Sequence, residues 1–438
     1  MNISIFGLGY VGAVSLACLV RDGHTVIGVD IDPGKLDLIR AGKTPVVEEG
    51  MVELMAAVAQ SGRAHVTHSV AEALQGSDLS LVCVGTPAAA NGSQDQGPVL
   101  RLADALALAL RDKAAPHVVV FRSTLVPGTV DKVLRPRMEA LSGKRDGVDF
   151  FLCFQPEFLR EGSAIRDYDH PPLTVVGADA VYPVAQLRAL FGHLGCRFVV
   201  TALRTAEMLK VSCNNFHALK ITFANETARL CEALEVDAFA VMDLLCQDTQ
   251  LNISSAYLRP GFAFGGSCLP KDLRATTHLA RMHDVELPML SAVLPSNRLQ
   301  LERALAKLLA SGKRRMGFIG LSFKSGTDDL RESPLVTLAE QLIGKGISLS
   351  IYDPEVHLAS LLGANLSFIE ARLPHIGCML QSDLTTVIAS SDVLVLGMGG
   401  EVVMEALLTY CRSDQLVLDL VHLSPHSGLR ARVEGLCW

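Results

Sequence analysis

The sequence has few aromatic residues and no excess of positive charge. Aromatic side chains make up 5% of the 438 residues, and 39 basic residues stand against 46 acidic ones, which gives a formal charge of -7. Proteins that bind nucleic acid through its phosphates carry a concentrated basic surface, and no long basic cluster occurs in this chain. The composition therefore argues against a nucleic-acid partner.

Long apolar runs and paired cysteines are also absent. No uninterrupted apolar stretch approaches the roughly 20 residues of a membrane-spanning helix, and the chain opens on an alternating strand pattern at Ile3 and Ile5 instead of a basic leader. We therefore expect no membrane association and no signal peptide. The 11 cysteines are scattered without a Cys-x-x-Cys pair, which favours reduced cytoplasmic thiols over disulfides or a zinc site. We predict no metal centre.

A glycine-rich turn follows the first predicted strand. Gly7, Gly9 and Gly12 stand between that strand and an apolar helix, and Asp30 ends the next strand 18 residues after the last glycine. In a dinucleotide fold these glycines provide the tight turn, the close approach of the pyrophosphate and the packing of helix against sheet. Asp30 would bind the adenosine ribose and repel a 2′-phosphate, so we predict NAD. Lys35 is either a further polar contact or a solvated side chain.

Polar residues follow the next predicted strands. Thr86 follows the strand that starts at residue 79, Thr124 follows 117–121, and Glu157 follows 150–154. Ligands of parallel α/β sheets bind beyond the carboxyl ends of the strands. We therefore expect these side chains at a ligand site, although each alone could be a helix cap or a turn residue.

A helical pattern about 35 residues long begins at Thr201. Four polar residues on it, at 100° per residue, fall within a sector of about 80°: Lys210, Asn214, His217 and Asn225. Much of the remaining circumference is apolar, which predicts a buried helix whose polar stripe faces a ligand, with a solvated face as the alternative. Such a helix is also a natural place for dimer contacts.

A cysteine stands in the glycine-rich loop of residues 260–272. Gly265 and Gly266 precede Cys268, and Pro270 fits the first turn of a following helix. A helix N-terminus and the neighbouring Lys271 both lower the pKa of a thiol. We therefore predict a reactive thiolate, the alternative being an ordinary loop cysteine.

A second strand-rich segment begins near residue 315. It lacks the Gly-x-Gly-x-x-Gly turn and carries Gly317, Gly320 and Gly326 instead, so we expect it to bind something other than a pyrophosphate, such as a sugar nucleotide. The whole pattern predicts an α/β protein with two doubly wound Rossmann-like domains joined by a long central helix and a helical linker domain. The expected domains are 1–200 for NAD, 201–305 for the central helices, dimerisation and the cysteine loop, and 306–438 for the sugar nucleotide.

Five motifs spread over the chain resemble those of the nucleotide-sugar 6-dehydrogenases, the UDP-glucose/GDP-mannose dehydrogenase family. They are the glycine turn at 7–12, Pro-Glu-Phe-Leu-Arg-Glu-Gly at 156–162, the helix with Lys210 and Asn214, Gly-Gly-Ser-Cys-Leu-Pro-Lys-Asp at 265–272, and the charged loop at 323–334. The opening turn, the version of the cysteine loop and the closing Glu-Gly-Leu-Cys-Trp are most similar to the branch that acts on GDP-mannose. The resemblance runs from end to end.

The resemblance implies a four-electron oxidation of the C6 alcohol of GDP-mannose to the carboxylate of GDP-mannuronate, for alginate-type polysaccharide synthesis. Cys268 would hold the intermediate as a thiohemiacetal and then as a thioester. Glu157, assisted by Thr124, would activate water for hydrolysis. Lys210 and Asn214 would stabilise the oxyanions, and Asp272 would orient a water or Lys210 as proton acceptor in the first oxidation.

The resemblance also implies the binding residues. The cofactor residues are Gly7, Gly9, Tyr10, Val11, Gly12, Asp30, Lys35, Thr86, Thr124, Lys271 and Arg331. The substrate residues are Glu161, Lys210, Asn214, His217, Asn225, Tyr257, Arg259, Phe262, Gly265 and Lys324. A homodimer, or a larger assembly with shared sites, is the implied form.

Three alternatives remain open at the level of sequence. The same chemistry on a UDP-linked sugar would differ only in the nucleotide pocket, and the small Ala256 departs from the expected pattern there. A two-electron 2-hydroxyacid dehydrogenase would share the dinucleotide half but would need no nucleophilic cysteine. A non-enzymatic NAD-binding regulator would not need Cys268, Lys210 and Glu157 together.

Overall fold

The computed structural model describes residues 1–87, 93–160, 162–254, 257, 261–266, 269–322, 330–356, 369, 376–423 and 428–436. The chain divides into two compact units, Met1–Ala218 and Leu219–Trp438. The domain limits 1–200, 201–305 and 306–438 stay predictions.

The first unit is built on an eight-stranded sheet in the order β3-β2-β1-β4-β5-β6-β7-β8. Neighbouring strands are parallel except β6 and β7, which pair antiparallel through Phe154 and Gly177. The strands are β1 Asn2–Phe6, β2 Thr25–Val29, β3 Ala64–Thr67, β4 Leu79–Val82, β5 His117–Phe121, β6 Phe150–Phe154, β7 Leu173–Ala178 and β8 Arg197–Thr201.

Helices flank this sheet and continue into the second unit. A π-helical turn, Val130–Leu134, leads into the sixth of them. They are α1 Tyr10–Arg21, α2 Pro33–Arg40, α3 Met51–Ser61, α4 Val70–Gln75, α5 Gly97–Leu110, α6 Arg135–Ser142, α7 Ala164–Asp169, α8 Val181–Phe191 and the long α9 Leu203–Ala233, inside which the division between the units falls.

The second unit is built on a five-stranded parallel sheet in the order β10-β9-β11-β12-β13. Its strands are β9 Arg315–Ile319, β10 Ser348–Tyr352, β11 Val393–Leu396, β12 Leu416–Asp419 and β13 Arg432–Gly435. Its further helices are α10 Ala238–Gln247, α11 Leu269–Met282, α12 Pro288–Ala310, α13 Pro334–Gly344, α14 Leu384–Ser390 and α15 Glu401–Tyr410, with a 3₁₀ turn at Ile376–Cys378.

Burial on both faces explains why the central strands are almost wholly apolar. Ile3 and Ile5 of β1 pack in one core cluster, whereas Phe6 and Phe121 pack in a second cluster across the sheet. Strands covered on both faces need no polar alternation. The α/β prediction, with two Rossmann-like sheets and a helical region between them along the chain, is confirmed.

A buried polar cluster lies at the amino-terminal ends of the first sheet's strands. His117 is fully buried, and its Nε2 lies 2.7 Å from Ser80 Oγ, which in turn lies 2.7 Å from Ser4 Oγ. Burial and the nearby Lys113 ammonium lower the pKa of His117 to about 3. The folded protein therefore holds this imidazole neutral throughout the physiological range.

This cluster predicts a loss of stability in mild acid. Below the unfolded-state pKa of about 6.5 the unfolded chain takes up a proton that folded His117 refuses, so stability falls by about 1.6 kcal/mol between pH 6.5 and 5. In urea unfolding at both pH values, His117→Gln should lose this contribution to the pH dependence, whereas the exposed His65→Gln should retain it. Equal pH dependence in wild type and His117→Gln would contradict the assignment.

Candidate active site

The glycine turn has the shape that a dinucleotide requires. Gly7 follows β1 with φ +92°, and a Cβ there would lie 3.0 Å from the backbone of Cys83. A Cβ on Gly12 would lie 1.8 Å from the carbonyl oxygen of Gly7, so α1 can pack this closely only without a side chain. A Cβ on Gly9 would meet nothing within 4 Å. The turn is therefore open at the position where a pyrophosphate would approach the first N–H groups of α1, at Tyr10 and Val11.

Asp30 holds this turn in place. Its Oδ2 accepts the Leu8 N–H at 2.7 Å and its Oδ1 accepts the Asp32 N–H at 2.9 Å. Lys35 Nζ lies 3.4 Å from Asp30 Oδ2. The carboxylate retains acceptor capacity for ribose hydroxyls, and its negative charge disfavours a 2′-phosphate, so the residues present fit NAD.

Thr86 and Thr124 meet at the carboxyl edge of the first sheet. The Thr86 hydroxyl donates to the carbonyl oxygen of Thr124 at 3.0 Å, and Gln94 Nε2 donates to both Thr86 Oγ1, at 2.9 Å, and Thr124 O, at 2.6 Å. Both threonines were predicted at this edge. Gln94 was not predicted there, and its Oε1 is buried without a partner among the described residues.

Lys210 and Glu157 form a buried ion pair beyond β6. Lys210 Nζ lies 2.8 Å from Glu157 Oε1 and donates to the Glu157 carbonyl oxygen at 2.7 Å, with side-chain exposures of 8% and 11%. The ring centroid of Phe158 lies 5.7 Å from the same ammonium. The structure thus brings two residues with predicted catalytic roles into direct contact.

The rest of the polar stripe on α9 is solvent-exposed in the single chain. Asn214, His217 and Asn225 are all exposed. The expectation of a buried helix is therefore wrong for this part of α9 in a single chain, where the apolar Phe216 and Leu219 are also exposed. The sequence pattern showed that the helix was largely apolar but not what would cover it.

A buried carboxylate outside the predicted set lies next to the glycine turn. Glu48 is 8% exposed and accepts the hydroxyl of Tyr10 and the N–H groups of Gly162 at 2.8 Å and Ala164 at 3.0 Å. Burial pushes the pKa of Glu48 up, but these three hydrogen bonds outweigh it, so the net pKa is lowered. Glu48 therefore binds its partners as a carboxylate.

In the second unit, two amide side chains hold the loop that precedes the cysteine. Asn297 Oδ1 accepts the Phe264 N–H and Asn297 Nδ2 donates to the Phe264 carbonyl oxygen, both at 2.9 Å. Gln300 Nε2 donates to the Gly261 carbonyl oxygen at 2.7 Å. Neither amide was predicted, because nothing near residues 297 or 300 indicates a partner 33 or 39 residues earlier in the chain.

Gly265 of this loop lies against another backbone segment. A Cβ there would lie 2.3 Å from the carbonyl oxygen of Glu332 and 2.6 Å from Cδ of Pro334. Glu332 itself has φ +54°, and its carboxylate pairs with Arg274 of α11 at 2.9 Å. The predicted Phe262 packs against the core of the same unit.

Several predicted residues flank the loop or lie outside the described ranges. Helix α11 begins at Leu269 with Pro270 in its first turn, as predicted, and the exposed Lys271 and Asp272 pair at 3.4 Å. Tyr257 is exposed with φ +61°, and Arg331 lies in the turn before α13. Four predicted residues lie outside the described residues: Cys268, Glu161, Arg259 and Lys324.

Within the described ranges, no three His, Cys, Asp or Glu side chains gather as metal ligands. No helix there combines the length and apolar character that a bilayer span requires. The first unit combines an eight-stranded sheet, an open glycine turn followed by Asp30, and a buried Lys–Glu pair at the carboxyl edge of that sheet. This combination defines a dinucleotide-dependent dehydrogenase.

Comparison with known proteins specifies the family. Profiles of the UDP-glucose/GDP-mannose dehydrogenase family match the chain over 1–195 (NAD binding domain), 204–299 (central domain) and 317–422 (UDP binding domain). The chain belongs to this family, and it is an NAD-dependent oxidoreductase of nucleotide sugars.

Three relatives illustrate the range of similarity. GDP-mannose 6-dehydrogenase of Pseudomonas aeruginosa is 48% identical over 100% of both chains. A crystal structure of a ternary complex of GDP-mannose dehydrogenase from the same organism has a TM-score of 0.96 at 48% identity, again over 100% of both chains. UDP-glucose 6-dehydrogenase of Haloferax volcanii is 37% identical over 81% of this chain and 83% of that relative.

The buried ion pair generates a prediction for Lys210. Lys210→Gln removes a charged donor from the proposed oxyanion site, which costs about 3–4 kcal/mol of barrier, or roughly a hundredfold or more in kcat. The rate of NADH formation with a nucleotide sugar measures the loss, and circular dichroism confirms that the variant is folded. Arg204→Gln, on the same helix but paired at the surface with Asp131, is the matched control and should keep the wild-type rate. A Lys210→Gln rate within threefold of wild type would exclude a role in the chemistry.

Proposed function

We propose that the protein oxidises GDP-mannose to GDP-mannuronate with two molecules of NAD. The observation that carries this proposal is the buried Lys210–Glu157 pair at the edge of a dinucleotide sheet, in a chain similar over its whole length to a GDP-mannose 6-dehydrogenase at 48% identity. The 37% identity to a UDP-glucose 6-dehydrogenase covers a smaller share of the chain. The substrate is therefore assigned to GDP-mannose, with a UDP-linked sugar as the second candidate.

The geometry supports distinct roles for the groups of the first unit. Bound NAD supplies the hydride acceptor for both oxidations. Lys210 Nζ, fixed by two oxygen atoms of Glu157, offers positive charge to the oxygen at C6 as it becomes anionic, and Asn214 one turn later adds a hydrogen bond. The Glu157 carboxylate, with Thr124 on the neighbouring strand end, activates water for hydrolysis.

The proposed nucleophile is Cys268. After the first oxidation the Cys268 thiolate would add to the aldehyde carbon, and the resulting thiohemiacetal would become a thioester by giving its C–H hydride to NAD and its hydroxyl proton to water. Water then cleaves the carbon–sulfur bond, releasing the carboxylate and regenerating the thiol. Asp272 orients a water or Lys210 as the proton acceptor of the first step. The proposed nucleotide-sugar contacts are Glu161, His217, Asn225, Tyr257, Arg259, Phe262, Gly265 and Lys324, and Lys271 with Arg331 approaches the cofactor.

Stoichiometry and substrate choice test this function. Wild type should form two NADH per GDP-mannose and react far more slowly with UDP-glucose. Cys268→Ser should bind NAD normally but produce no uronate, and mass spectrometry of wild type stopped during turnover should show an adduct on Cys268. One NADH per substrate would indicate a two-electron dehydrogenase, and a preference for UDP-glucose would reassign the substrate.

We also propose that the protein is a cytoplasmic homodimer whose product feeds alginate-type polysaccharide synthesis. Free thiols at nine described cysteines fit a reducing compartment. Large apolar side chains of the central helices are exposed in the single chain, among them Phe239 at 85%, Leu244 at 67% and Ile221 at 63%. An exposed apolar surface of this kind is typical of an interface, and a second copy is the proposed partner.

This dimer predicts the effect of a charge at Phe239. Phe239→Asp would bury an unpaired carboxylate in the interface, so sedimentation velocity should show a shift from dimer to monomer at micromolar concentration. Val181→Asp, at an equally exposed position on α8 (83%), should remain dimeric. If Phe239→Asp and wild type sediment alike, this surface is not the interface.

A further inference from the structure

Glu48 and Tyr10 connect two parts of the first unit that lie far apart in sequence. Tyr10 is the first residue of α1 and follows Gly9 of the cofactor turn. Its single hydroxyl proton is shared between Glu48 Oε2 and the carbonyl oxygen of Arg160, the latter at 2.6 Å and 150 residues along the chain. The cofactor turn is thereby hydrogen-bonded to the loop that follows Glu157.

The carboxylate of Glu48 completes this connection. Its two oxygen atoms accept the N–H groups of Gly162, at 2.8 Å, and Ala164, at 3.0 Å. The N-cap of α7, Ser163, makes no side-chain capping bond, so Glu48 takes over part of the capping from a distant segment. Removing the carboxylate would leave the N–H groups of Gly162 and of the buried Ala164 without this acceptor.

The same loop leads back to the proposed catalytic groups. Arg160 is three residues after Glu157, whose carboxylate and carbonyl oxygens fix Lys210 Nζ. Glu157 Oε2 also accepts the Leu159 N–H at 2.8 Å, so the glutamate is bonded to its own loop. A shift of Leu159 and Arg160 would therefore move Glu157 and, through it, the ammonium of Lys210.

We propose that Glu48 and Tyr10 are positioning residues that hold the Glu157 loop in register with the cofactor turn. Neither side chain is assigned contact with the reacting atoms. Both act on the Lys210–Glu157 pair through their bonds to Arg160, Gly162 and Ala164, and the inference rests on the proposed function of that pair. Positioning errors of an ångström reduce rates strongly even when binding is retained.

The variants Glu48→Gln and Tyr10→Phe test this role, with Glu49→Gln as the matched control. Glu49 is the exposed neighbour of Glu48, so the control removes the same charge without touching the loop. The proposed contact of this turn with NAD is through the backbone N–H groups of Tyr10 and Val11, which Tyr10→Phe retains, so the Kd for NAD from calorimetry should stay within about threefold in all variants. Glu48→Gln and Tyr10→Phe should each lose about tenfold or more in kcat with GDP-mannose, because each loses a hydrogen bond to a charged carboxylate. The double variant should lose less than the product of the single effects.

Hydrogen exchange provides a readout that does not depend on the substrate. The amide of Gly162 or of Ala164 should exchange about tenfold faster in Glu48→Gln than in wild type or Glu49→Gln, because glutamine offers one acceptor oxygen where Glu48 offers two. Faster exchange with unchanged kcat would overturn the proposal, since loosening the loop would then have no effect on catalysis. A loss of NAD affinity equal to the loss of kcat would also overturn it. If wild type failed to oxidise GDP-mannose, the proposed function would be wrong. Unchanged exchange in Glu48→Gln would instead refute the hydrogen bonds from Gly162 and Ala164 to Glu48.

Discussion

The site depends on the burial of one ammonium group against one glutamate. Taking a lysine and a carboxylate out of water costs several kcal/mol for each ion, and the cost is offset only when the geometry is good and the remaining polar atoms are satisfied. Lys210 Nζ satisfies this condition because it lies 2.7 Å from the carbonyl oxygen of Glu157 and 2.8 Å from its Oε1. The other carboxylate oxygen of Glu157 accepts the Leu159 N–H. The pair consequently fixes the first turns of α9 near the end of β6. Because Asn214 lies one helical turn after Lys210, its position is set by the same contact.

The two sheets use the same device at their first turn, with different results. In the first unit Gly7 N donates to Val29 O at 2.8 Å and the next residue donates to Asp30. In the second unit Gly320 N donates to Tyr352 O at 2.7 Å and the next two residues donate to Asp353 at 2.8 and 3.0 Å. No glycine corresponds to Gly9, because Ser322 stands there and is buried. This difference supports the prediction that the second unit binds a group other than a pyrophosphate.

Sequence reasoning succeeded where the signal is local. The strands 117–121 and 150–154 were predicted at their observed limits, because buried apolar runs and strand-end polar residues lie next to one another in the chain. The antiparallel direction of β7 was not predicted, since strand direction depends on the partner, and β8 was not predicted as a strand. Glu48 and Asn297 were missed for a related reason. Their acceptors and donors lie 114 and 33 residues away, and an acid before a helix or an amide on a helix is ordinary in isolation.

A glycine-rich loop and a nucleophile place opposite demands on the chain. Glycine lets the backbone approach a ligand closely, but a glycine-rich backbone can adopt many conformations. Restricting these conformations costs free energy at each turnover, unless folding has already fixed the backbone. Asn297 resolves this conflict because its amide presents a donor and an acceptor like a peptide group, so it pairs with Phe264 as a neighbouring strand would. Gln300 fixes Gly261, and Gly265 fits against Glu332 where any side chain would clash. Gly265 therefore serves close packing, and residues 261–266 are held by α12 and the segment before α13.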